Sequence, residues 1–180
     1  MREDRGRWAL WLVLVLTWGG VTPLLIHAGL PGESRGDRFM RWRDSLEIAE
    51  HAADDGDLKV AEAHYREVID DAEDPQQANV LLARALDGLA DVRRAQRDWS
   101  EAEGLYLRSA EMWESLLGPD QPRLATTLHN LGVVYLHQDK AREAEVALQR
   151  ALALWERALG QDSIEAENTR RIYDQARSAR

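Results

Sequence analysis

The chain repeats itself. Gln96 to Tyr106 lies over Gln138 to Leu148 at a shift of 42 residues, matching Gln96 with Gln138, Glu101 with Glu143, Ala102 with Ala144 and Glu103 with Glu145. The same shift pairs Trp113 with Trp155, Gly118 with Gly160 and Asp120 with Asp162. A shift of 41 carries Val60 to Tyr65 onto Glu101 to Tyr106, so a third, more divergent copy begins near Phe39. A fixed period of this length constrains the fold more than any other feature, because each copy is one supersecondary unit that buries its apolar face only against its neighbours.

Within a copy the periodicity is helical. Leu124, Leu128, Leu131 and Tyr135 recur at three- and four-residue spacing; after a polar turn near Gln138 to Lys140 a second stripe follows through Ala144, Leu148, Ala151, Leu152 and Trp155. Ala61, Ala102 and Ala144 stand where two helices cross closely, and Ala90 and Gly132 fill the facing positions. Trp113 and Trp155, at the end of each second helix, read as packing between successive copies. With only five Pro and twelve Gly in 180 residues, the fold class is all-α.

Leu117 to Tyr135, with Leu124, Thr127, Leu128, Asn130, Leu131 and Gly132 in register, followed by Gln138 to Trp155, resembles the 42-residue tetratricopeptide repeat (TPR) of the kinesin light chain type. The resemblance covers about residues 80–162 and is more divergent over 39–75, where Asp55, Gly56 and Asp57 keep the usual turn. It implies a short right-handed solenoid over 38–180: repeats at about 39–75, 80–118 and 122–160, then a capping helix at 163–178. Gln161, Asp162 and Ser163 depart from the family's proline-containing turn, and Arg170, Arg171 and Ile172 replace its run of small residues.

Residues 8–32 contain no Asp, Glu, Lys or Arg, and about 20 apolar residues in a helix span a bilayer core. The expectation is a short tail (1–7), one transmembrane helix over 8–30 with Trp8 and Trp11 at its interface, and a linker (31–37). A cleaved export signal behind Arg2, Arg5 and Arg7 is the alternative. Basic residues on the two sides nearly balance; the orientation taken places the repeats on the extracytoplasmic side. The approach to the stack, Phe39 to Trp42, reads as an apolar end that needs cover.

Chemistry is mostly excluded. A net charge of −9 leaves no basic face for nucleic acid. Without cysteine there is no disulfide, thiolate metal site or thiol nucleophile. His129 and His137 lie eight residues apart, roughly 12 Å along one helix, too far to share one tetrahedral ion. No nucleophile elbow, phosphate loop or zinc-protease signature occurs. No enzyme activity, cofactor, metal or small-molecule substrate is expected.

The resemblance further implies that the first helix of each pair lines a partner-binding groove. The positions are Arg43, Glu47 and Glu50 in the first copy, and Arg84, Asp87, Asp91 and Arg94 in the second. The third contributes Thr126, His129, Asn130, Val133 and His137, and the cap Asn168 and Arg171. In related repeats an Asn at the place of Asn130 contacts peptide backbone, for which its amide offers both donor and acceptor. Arg84, Asn130 and Arg171 supply part of a clamp for a terminal carboxylate, against which Asp87 and Asp91 intrude. The function expected is a membrane-anchored protein–protein interaction scaffold, an accessory or assembly subunit of a membrane-associated complex. The alternatives are an exported soluble adaptor and a regulatory module for an enzyme on another chain.

Overall fold

The computed structural model describes residues 34–72 and 80–179. Among these are seven α-helices: α1 (Arg35–Asp54), α2 (Leu58–Asp71), α3 (Val80–Ala95), α4 (Trp99–Leu117), α5 (Pro122–His137), α6 (Ala141–Leu159) and α7 (Ile164–Ser178). Each of α1, α3 and α5 packs on the helix that follows it, α2 and α4 pack on the next pair, and α7 closes against α6. Because α1 also touches α3 and α5 touches α7, the first helices share one face.

Local signals set the helix limits. Ser34 and Asp37 form a capping box, so α1 begins at Arg35, inside the stretch read as linker. Asp57 and Asp98, at equivalent positions, accept from Val60 N and Glu101 N and start α2 and α4. The turn within each pair places one residue in the left-handed region: Gly56 (φ 80), Arg97 (φ 63) and Asp139 (φ 59). Glycine meets that demand at no steric cost, whereas arginine is strained there.

The core is built from bulky residues on second helices set into small ones on first helices. A Cβ added to Gly132 would lie 2.5 Å from Leu148 Cγ, and one added to Gly88 would lie 2.2 Å from Tyr65 Cζ. Leu148 on α6 thus lies directly over Gly132, and Ala61, Ala90, Ala102 and Ala144 are all fully buried. Trp113 is fully buried, while Trp155 is half-buried against the cluster around Leu124, Leu128 and Leu154. Only part of the Phe39 to Trp42 stretch is uncovered: Phe39 and Met40 are exposed, but Trp42 is buried and donates its indole N–H to Asp71 (2.7 Å).

The apolar stretch 8–30 and the tail before it lie outside the described residues. Among the described residues no helix is long and apolar enough to cross a membrane, because each carries charge along one side and buries only the other. The single-pass membrane localisation, with the repeats on its outer side, is corrected on this ground.

Two substitutions test these packing arguments. Arg97→Gly is expected to raise stability by about 0.5–1 kcal/mol in urea titration by relieving the left-handed turn; unchanged or lower stability would contradict the strain. Gly132→Ala gains about 1 kcal/mol of helix propensity but loses roughly 1–3 kcal/mol to overpacking against Leu148, so the net change is destabilising.

Candidate functional site

A cleft of ≈ 220 Å³ opens on the face shared by the first helices. α1 contributes Glu50, α3 contributes Arg84, Asp87, Gly88 and Asp91, and α5 contributes Arg123, Thr126, Thr127 and Asn130. Tyr65 of α2 reaches the same space past Gly88, which has no side chain to block it.

Two aspartates one turn apart organise the cleft. Asp87 accepts from the Trp113 indole N–H of α4 (2.8 Å) and the Thr127 hydroxyl of α5 (2.9 Å), tying three helices together. Burial pushes its carboxyl up to about 6, against the opposing pull of the bonds from Trp113, Ser109 and Thr127, and the charge of Asp91 adds to the rise. Asp91 Oδ1 accepts from the Tyr106 hydroxyl (2.6 Å), the Asn130 amide (3.2 Å) and the Arg94 guanidinium (3.0 Å). Burial, then the negative charge of Asp91, pushes the Tyr106 phenol far above its ordinary range, so it stays a donor.

His129 stands 42 residues after Asp87, and Thr169 stands 42 after Thr127. The two meet in the same way, His129 Nδ1 lying 2.8 Å from Thr169 Oγ1. Thr169 donates its own proton to Glu165 O (2.7 Å), so Nδ1–H is the donor to the hydroxyl. Burial, with the charges of Arg94 and Arg171 behind it, lowers the His129 pKa and holds the ring neutral. One repeat earlier, the first-copy position equivalent to Asp87 is the buried Leu46, and the second-copy position equivalent to Thr127 is the buried Ala85. A polar tie thus joins the second copy to the third and the third to α7, where an apolar contact stands earlier in the stack.

The other groove positions separate. Arg84 is paired with Glu50 at 2.5 Å, and Arg94 is held by Asp91 and Tyr106. His137 stacks on Trp99 with ring centroids 4.2 Å apart, at the junction of α4 and α5 and away from the cleft. Val133 is half-buried, Arg43 pairs with its neighbour Asp44, and Glu47, Asn168 and Arg171 are exposed outside the cleft. The donors of a carboxylate clamp are therefore engaged or displaced: Arg84 faces Glu50, Asn130 faces Asp91, and Arg171 is elsewhere. Among the described residues no group of three His, Asp or Glu side chains is placed to hold a metal ion. Tyr65, Gly88, Arg123 and Thr127 line the cleft without having been singled out in the sequence; for Tyr65 the readable signal was a bulky residue in one copy facing a glycine in the next.

Residues 81–157 match the family model for the tetratricopeptide repeat. These residues resemble TPR repeats. No curated protein matches the chain in sequence. Among solved structures, BtubC (BKLC) from P. vanneervenii aligns with a TM-score of 0.74 and 23% identity, covering 83% of this chain and 60% of that one. The kinesin light chain-like, nearly identical TPR-like repeats from Podosopora anserina align at 0.67 and 18%, covering 77% and 66%. The TPR2B domain of yeast Sti1, in its pHsp70 complex, aligns at 0.63 and 16%, covering 78% of this chain and 99% of that domain. The chain thus spans about 60% of BtubC, and at these identities the likeness establishes the TPR solenoid fold and no more.

Asp87 makes the stack pH-sensitive in a defined direction. Its folded pKa of about 6 exceeds the ordinary value of 3.8, so the folded state binds more protons between these limits and stability falls as pH rises through them. Asp87→Asn keeps an acceptor for Trp113 and removes the titration. Relative to wild type, its stability is expected to improve by roughly 2–3 kcal/mol between pH 3.5 and 7; parallel urea profiles for the two proteins would refute the assignment.

Proposed function

We propose that this protein is an interaction scaffold that docks an extended segment of a partner protein along the first-helix face, as an accessory or assembly subunit of a larger complex. TPR proteins are in general interaction modules and not enzymes. The observation that supports this reading is the cleft itself. Its polar groups come from three consecutive helix pairs and are held by bonds between those pairs, so the surface exists before a partner arrives and little ordering entropy remains to be lost. The Asn130 amide nitrogen is engaged with Asp91, which directs its carbonyl oxygen as an acceptor for partner backbone N–H. The Sti1 domain, which shares the fold and is complexed with pHsp70, shows a similar stack serving a protein ligand.

A photo-crosslinking amino acid tests the location. Placed at Thr126 in the full chain, it is expected to trap one partner protein in cells, and Asn130→Ala should suppress the adduct. The same group at the exposed Glu111 on α4 should not trap that partner. Equal trapping at both positions would overturn docking on the first-helix face.

A further inference from the structure

A second hollow of ≈ 280 Å³ continues from the cleft, between the end of α1, the start of α2 and the last turns of α3. Leu58 and Val92 make its sides apolar, and Glu50, Asp54 and Asp91 bring carboxylates to it; none of its lining residues is Lys or Arg. Nearby cations are already engaged, Arg84 by Glu50 and Arg94 by Asp91 and Tyr106. Asp54 has no ion pair or side-chain hydrogen bond among the described residues. α1 ends at Asp54 and α3 at Ala95, so two helix C-termini, each favouring positive charge, converge on this space.

The independent sign of a ligand is Tyr65. The residue is 97% buried (3% exposed), yet its hydroxyl has no hydrogen-bond partner among the described residues and lines both this hollow and the cleft. The hydroxyl reaches the hollow only because position 88 is glycine, where a Cβ would stand 2.6 Å from it. Burial and the charge of Glu50 push the phenol up to about 12, so it remains neutral and can both accept and donate.

We propose that this hollow is a specificity pocket for one Lys or Arg side chain of the docked segment. The reading rests on docking at the first-helix face. The methylene stem lies along Leu58 and Val92, the cationic head donates to the Tyr65 hydroxyl, and that hydroxyl donates onward to a carboxylate. Asp54 and the two helix ends supply the opposing charge. A carboxylate side chain is repelled by the same groups.

The test uses random dodecapeptides displayed on phage and selected on the immobilised full chain, then synthetic fluorescent copies of enriched clones measured by polarisation. Enriched sequences are expected to carry a Lys or Arg whose replacement by norleucine weakens binding about tenfold or more. Asp54→Asn and Tyr65→Phe, which leave the packing in place, should each weaken the same peptides several-fold, and Glu111→Gln should not. Neutral or acidic clones that bind, lose affinity with Thr126→Arg and are indifferent to Asp54→Asn and Tyr65→Phe would overturn the pocket while leaving first-helix docking intact. Failure to enrich any peptide above the uncoated control would count against both.

Discussion

How close a second helix can come to the first helices on either side of it governs the whole stack. Leu148 of α6 fills the space left by Gly132 of α5, and Tyr65 of α2 fills the space left by Gly88 of α3. The repeat equivalents of Leu148 and Gly132 are Tyr106 and Ala90 in the second copy, both fully buried. A bulky side chain on one helix and a near-absent one on its neighbour bring the backbones together, and that proximity places Asp87 and Asp91 within hydrogen-bonding reach of Thr127 and Asn130 on the next pair. Core interlock and cleft geometry therefore have one cause.

The junctions between copies share a second device, applied with unequal strength. Glu62, Glu103 and Glu145 are equivalent residues on α2, α4 and α6. Each meets a cation from the following unit: Arg93 at 2.6 Å, Lys140 at 2.7 Å and Arg177 at 4.0 Å. Arg93 alone is buried, clasped also by Glu101 at 2.7 Å. Its guanidinium holds the Glu62 carboxyl below the usual carboxylate range, and removing it would leave partly shielded acids facing one another. The other pairs are more open to solvent, where screening leaves an ion pair little net effect.

The solenoid was legible because its packing demands recur at fixed spacing, so self-similarity alone locates the helix pairs. The cleft was only partly legible. Glu50, Arg84, Asp87, Asp91, Thr126 and Asn130 line it because repeat register tells which side of a first helix a residue occupies. Register does not tell what a side chain bonds to. His129 turns to Thr169 and His137 stacks on Trp99, each captured by an element whose contribution is visible only once the copies are stacked. Tyr65 was missed because it belongs to a second helix and enters the cleft through an absence, the missing side chain at position 88. The apolar character of residues 8–30 suggested a membrane span, but none of the described helices is long and apolar enough to cross a membrane.

α6 shows how such a stack distributes its stability. Where α2 and α4 begin on a capping aspartate, α6 begins on Lys140, which makes no side-chain cap and reaches back to Glu103 on the preceding pair. The third copy thereby gives up an interaction internal to itself for one that exists only when its neighbour is folded. In a one-dimensional array, intrinsic unit stability sets whether a repeat folds alone, and neighbour coupling sets how sharply the array melts as a whole. By shifting weight from the first to the second, Lys140 ties the start of α6 to the second copy and adds to the coupling between the two.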